Sequence, residues 1–217
     1  MRPVPSYRPI LIASAIAGLT YLFSSTVHLD GVYDLAWKGA GVGLLALYAA
    51  MRARDLNGWL LAGVMAFGAL GDVLLGIKFI VGALAFLVGH GLAVWLYLRN
   101  RRVVVTRSQG LLAMLLVPSV VVIAYLLPAL RESAPGIAVY ALGLSLMAAT
   151  AWVSRFPRFQ VGLGALMFVV SDLIIFARTD RFDDSFAAGL AVWGLYYVGQ
   201  LMICLGVSRT LERGRPA

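Results

Sequence analysis

Long apolar runs, each closed by charge, constrain this chain more than any single motif in it. Eight such runs can be read, near residues 10–27, 34–51, 56–77, 79–98, 109–127, 134–154, 157–178 and 185–208. About 20 consecutive apolar residues cross the hydrocarbon core of a bilayer as a helix. Hydrophobic residues make up 61% of the sequence and charged residues 13%, where soluble domains hold about 45–50% and 25%. A soluble globule of this size must show much of its surface to water, so it could not hide that apolar fraction. A soluble domain, a disordered chain and a disulfide scaffold are thereby excluded. Cys204 stands alone and reads as a buried, inert thiol. The expected fold class is all-α, a polytopic membrane bundle of eight transmembrane helices. The links leave no room for a soluble domain, so residues 1–217 read as one transmembrane domain. The first run lacks an A-x-A cleavage site and reads as a span rather than a signal peptide.

Basic residues decide the orientation. Arg2, Arg8, Arg52, Arg54, Arg99, Arg101, Arg102, Arg107, Arg155, Arg158, Arg209, Arg213 and Arg215 fall on the side of the termini. The opposite side holds Lys78, Arg131, Arg178 and Arg181, with Lys38 just inside a span. Cytoplasmic loops collect Lys and Arg, so both termini are expected to be cytoplasmic. The net charge of +8 is then topogenic. Arginines spread over separate loops, with no interleaved aromatic groove, give no basis for nucleic-acid binding. The pattern suits a bacterial inner membrane, and an endoplasmic-reticulum protein would carry the same one.

Ionisable groups inside spans are costly, and each is a functional-site hypothesis. Lys38, Asp72, His90 and Asp172 qualify, and Tyr196, Tyr197 and Gln200 add hydrogen-bonding capacity on the last span. Counted from the arginine-rich side, Asp72 on span three and Asp172 on span seven reach the same height. Two carboxyls at one depth suggest a shared cavity opening outward, suited to paired acid–base chemistry. Gly82–His90 (GALAFLVGH) and Gly164–Asp172 (GALMFVVSD) agree at five of nine positions. Their spans would run in opposite directions, as in an inverted repeat.

Known catalytic signatures are missing: there is no phosphate-binding Gly-rich loop, no G-x-S-x-G and no HExxH. A zinc site from His90, Asp72 and Asp172 is conceivable, but the spacing carries no ligand pattern and His28 reads as loop-bound. Neither a metal nor a cofactor is expected. The G-x-G-D signature of intramembrane aspartyl proteases is not met, because Ala69–Asp72 reads ALGD.

GDVLL at Gly71–Leu75, the two GAL segments, and YYVGQLMI at Tyr196–Ile203 follow one another in order, with Lys38 on span two. In this order the chain resembles the lysoplasmalogenase (YhhN-like) family of eight-span membrane proteins. Two departures concern headgroup or chain preference: Lys38 precedes Gly39 where the family often has Lys-Pro, and Ala93 stands where an aromatic often follows the His. The resemblance implies hydrolysis of the vinyl ether of lysoplasmalogens to a fatty aldehyde and glycerophosphoethanolamine or glycerophosphocholine. Asp72 and Asp172 would be catalytic. Lys38, His90, Ser171, Tyr196, Tyr197 and Gln200 would position substrate or water, and Lys38 could hold the lipid phosphate. The expected partners are a lysophospholipid substrate and membrane lipid. A proton- or cation-coupled transporter using the same aspartates is the rival reading.

Overall fold

Two helices in this chain start where a side chain satisfies free backbone N–H groups, and several stop at Gly or charge. The computed structural model describes residues 7–27, 29–178 and 185–214. Arg2, His28, Arg181 and Arg215, used above for topology and ligation, lie outside them. The helices are α1 (Arg8–Thr20), α2 (Gly31–Arg52), α3 (Leu56–Leu75), α4 (Phe79–Arg99), α5 (Arg107–Leu126), α6 (Ala134–Val153), α7 (Leu163–Arg178) and α8 (Phe186–Arg213). Asp55 caps α3 by accepting from the Gly58 N–H at 2.9 Å. Thr106 and Gln109 form a reciprocal capping box at α5. A π-helical turn, Arg158–Gly162, leads into α7.

Each of the eight runs read from the sequence overlaps one of these helices, but the first run's α-helix stops early, at Thr20, and the seventh run's starts late, at Leu163, after the π-turn. Six of them, α3 to α8 with the π-turn counted into α7, are long and apolar enough to cross a membrane. The first two differ. Helix α1 is 13 residues long and tightens into a 3-10 stretch, Tyr21–Thr26. There hydroxyls turn back on the backbone: Thr20 Oγ1 donates to Ile16 O at 2.6 Å and Thr26 Oγ1 to Phe23 O at 2.7 Å. Helix α2 has 22 residues but carries Asp34 and Lys38 in its first half, which lowers its apolarity.

Neighbours in sequence pack as neighbours in space: α1 on α2, α2 on α3, α3 on α4, α5 on α6 and α7 on α8. Longer-range contacts close the bundle. Helix α4 packs on α6, and α8 returns across α2 and α3. In lipid no hydrophobic force separates one apolar helix from another, so close association depends on small residues that let backbones approach. Gly164 and Gly199 show this at the α7–α8 crossing. A Cβ on Gly164 would stand 2.7 Å from Gly199 O, and one on Gly199 would stand 2.6 Å from Gly164 O.

One end of the bundle gathers the arginine-rich loops. Asn100 Nδ2 donates to Asn57 Oδ1 at 3.0 Å, the Arg155 N–H donates to Asn100 O at 2.7 Å, and Arg102 Nε donates to Ser154 O at 3.2 Å. Arg52, at the end of α2, pairs with Glu212 near the end of α8 and donates to the Tyr48 hydroxyl. The connections α2–α3, α4–α5 and α6–α7 are thus tied together, as the sorting of basic residues requires. Between this end and the polar site lies a dry layer that includes Leu45, Leu61, Met65, Leu96, Leu144 and Met147, all nearly inaccessible.

The two similar segments face one another. Phe86 and Phe168, which occupy the same place in the two GAL motifs, meet edge to face with ring centroids 5.8 Å apart. Both rings also pack on Tyr196, at 5.7 Å and 4.9 Å.

Candidate active site

A cavity of about 680 Å³ lies towards the end of the bundle opposite the arginines, and Lys38, Asp72, Ser171, Asp172 and Tyr196 line it. Its remaining wall is mostly apolar, with Phe79, Ile80, Leu84, Ile137 and Val139 among its members. Asp72 comes from α3 and Asp172 from α7, and they are 2% and 6% exposed. Each helix brings its aspartate to the cavity within two turns of the end opposite the arginines, which is why the two reach one height.

Each carboxyl has a tyrosine behind it. The Tyr196 hydroxyl on α8 donates to Asp72 Oδ2 at 2.8 Å, and the Tyr140 hydroxyl on α6 donates to Asp172 Oδ2 at 2.8 Å. Each tyrosine is itself held from behind. Gln200, one turn along α8, hydrogen-bonds Tyr196. His90 Nε2 lies 3.2 Å from the Tyr140 oxygen. A phenol has one proton, and Tyr140 gives it to Asp172, so His90 Nε2 must be the donor in that contact. Two parallel chains result, Gln200–Tyr196–Asp72 and His90–Tyr140–Asp172. A phenol bound to one carboxyl oxygen fixes the group's orientation and leaves the other oxygen for a ligand.

Lys38 is partly buried on α2, and Asp72 experiences the charges of both Lys38 and Asp172. Gly39 lets α2 lie close to α3 at this level. A Cβ there would stand 2.7 Å from Val73 Cγ2, so a larger residue would hold α2 away from α3 beside Asp72. Ser171 lines the cavity while its hydroxyl donates to Val192 O at 2.9 Å.

Three residues named from the sequence stand elsewhere. Tyr197 turns away from the cavity, and its hydroxyl lies 2.9 Å from Ser14 Oγ, which donates to Gly41 O. Successive residues on a helix point about 100° apart, so Tyr196 and Tyr197 cannot share a face. His90 and Gln200 sit behind the tyrosines and border a second, very small pocket with Phe86, Tyr97, Met147 and Phe168. His90 therefore does not join the aspartates as a ligand set. Among the described residues, no three His, Cys, Asp or Glu side chains cluster as metal ligands would.

Two lining residues were missed. Tyr140 carried a signal, a lone phenol inside an apolar span whose hydroxyl needs a partner. Glu132, exposed before α6, lines the cavity beside Ser133. Tyr140→Phe should lower activity about tenfold without changing the helical signal, since a hydrogen bond to a charged group is worth roughly 1.5–3 kcal/mol. Activity and circular dichroism of the purified variant check this.

Comparison with curated proteins gave no match, and neither did comparison with solved structures. Comparison with protein families matched residues 33–207 to the YhhN family. That stretch contains both hydrogen-bonded chains and Lys38, and it covers most of the sequence. The protein belongs to the YhhN family.

Proposed function

We propose that this protein is a membrane lysoplasmalogenase, hydrolysing the vinyl ether of a lysoplasmalogen to a fatty aldehyde and glycerophosphoethanolamine or glycerophosphocholine. The observation that carries the reading is the placement of Asp72 and Asp172 on one largely apolar cavity, each held by a tyrosine hydroxyl. Family membership supports it. The chain is read as one unit of eight spans with both termini cytoplasmic, in a bacterial inner membrane or an equivalent one, and the cavity then opens towards the outer leaflet. The loops tied together at the arginine-rich end support that orientation.

The chemistry needs no cofactor. One aspartic acid gives its proton to the alkene carbon remote from the ether oxygen, and the double-bond electrons form the new C–H bond. An oxocarbenium ion remains, with its charge shared between carbon and oxygen. The second aspartate, ionised, stabilises that charge and takes a proton from water as the water oxygen bonds to the cationic carbon. The hemiacetal then collapses: its hydroxyl proton passes to the first aspartate, the carbonyl forms as the C–O bond to glycerol breaks, and the glycerol oxygen takes the proton held by the second aspartate and departs as an alcohol, so both carboxyls regain their starting states. Paired carboxylates serve glycosidases in the same way, through a similar ion. Lys38 is placed to hold the phosphate, and the apolar wall to hold the chain.

In deuterated water the fatty aldehyde should carry one deuterium beside the carbonyl, because the acid delivers a solvent-derived proton to that carbon. Mass spectrometry of the promptly reduced product reads it. Aldehyde without that deuterium would overturn the mechanism. The transporter reading draws on the chain His90–Tyr140–Asp172, which has the form of a proton relay. Against it, His90 is 3% exposed and packs on Phe168 at 5.1 Å. Aspartate-dependent proton flux into vesicles, with no aldehyde formed, would select the transporter.

A further inference from the structure

The cavity has an apolar side as well as an end. Ile80 and Leu84 on α4 and Val139 on α6 line it, yet they are 66%, 55% and 65% exposed. Both helices are long and apolar enough to cross a membrane, so their exposed faces meet lipid chains. A residue that lines a cavity and also meets lipid marks an opening in the wall.

The shape of that opening follows from two glycines on α6. At Gly143 the helices touch: a Cβ there would stand 2.4 Å from Leu87 Cδ1 of α4. Two turns nearer the start of α6, Gly136 also lines the cavity, and a Cβ on it would meet no atom within 4 Å. Helices α4 and α6 therefore contact at Leu87–Gly143 and part towards Gly136. Tyr140, which holds Asp172, stands between these two levels on the same helix.

We propose that this cleft between α4 and α6 is a lateral portal through which a single-chain amphiphile enters from the bilayer. Its hydrocarbon chain lies across Ile80, Leu84 and Val139, and its polar head reaches the charged end of the cavity. Gly136 keeps the portal open, and Leu87 against Gly143 closes its floor. A lipid already in the leaflet then moves sideways to the carboxyls without exposing its methylenes to water, which the hydrophobic effect opposes. The portal rests on the lipid reading of the cavity but not on the reaction, so binding can test it separately.

The probe is an uncleavable 1-O-alkyl lysophosphatidylethanolamine with a hexadecyl chain, radiolabelled and presented to purified protein in lipid nanodiscs. A short butyl analogue added from water serves as its companion. Gly136→Trp should weaken binding of the hexadecyl lipid about tenfold or more, while the butyl analogue keeps its affinity. Gly189→Trp, at an exposed glycine of α8 that also has open space, should bind both as the unmodified protein does. Unchanged hexadecyl binding in Gly136→Trp, or equal loss of both ligands, overturns the portal. If Gly136→Trp does not fold, Val139→Trp, facing lipid at the same opening, makes the same test. Chain-selective loss of binding in a protein that releases no aldehyde from lysoplasmalogen would leave the portal standing and remove the hydrolase.

Discussion

Replacing either Asp72 or Asp172 by Asn should lower lysoplasmalogen turnover by about 10²–10⁴-fold, the range that positioned acid–base groups supply. Asparagine keeps the shape of the side chain and still accepts the tyrosine hydrogen bonds seen at 2.8 Å. It can neither deliver a proton to an alkene carbon nor take one from water. Both variants should therefore fold, and both should still bind an uncleavable lipid analogue. The loss belongs in kcat, because the ground-state complex is little changed. A neutral side chain also removes a carboxylate from the cavity, so detergent stability should hold or rise. Steady-state kinetics beside a thermal melt separate these effects. Turnover near that of the unmodified protein in both variants would leave the carboxyl pair without a catalytic part.

The second large effect is structural. Gly199→Leu should cost about 3 kcal/mol or more, since overpacking of a close contact is not relieved by side-chain motion alone. The atom in the way is backbone, Gly164 O at 2.6 Å from the position of the new Cβ, so α7 and α8 must separate. Those helices carry Asp172 and Tyr196, and separating them should disturb both carboxyl chains together. For a chain of this length the cost corresponds to roughly 10 °C in unfolding midpoint. Gly189→Leu on the same helix meets open space and should leave the midpoint where it is. Scanning fluorimetry of the two variants in one detergent makes the comparison.

Most helix ends were legible from the charge that closes each apolar run, while the early end of α1 at Thr20 carries no such mark. The carboxyl pair was legible for a related reason: a charge inside an apolar run is conspicuous, and counting residues gives its depth. What a sequence of this kind hides is direction around the helix axis. A soluble helix shows its buried face through alternating polarity. Helices α4, α6 and α8 are apolar on nearly all sides, so nothing in them distinguished the side facing Asp172 from the side facing lipid. Tyr140 was passed over for that reason, and Tyr197 was placed with Tyr196 although it turns to Ser14. His90 was read as positioning substrate or water, and it stands behind Tyr140, 3.2 Å from its oxygen. Glu132 escaped notice because an acid in a loop is ordinary until the cavity is seen to reach it.

What the purified protein releases from two lipids that differ at one bond tests paired-aspartate vinyl ether hydrolysis most directly. One is a lysoplasmalogen with a vinyl ether; the other is the ordinary lysophospholipid with an ester in its place. The prediction is fatty aldehyde from the first, no fatty acid from the second, and loss of the aldehyde in Asp72→Asn and Asp172→Asn. Fatty acid from the ester, or no aldehyde from the vinyl ether, would contradict it.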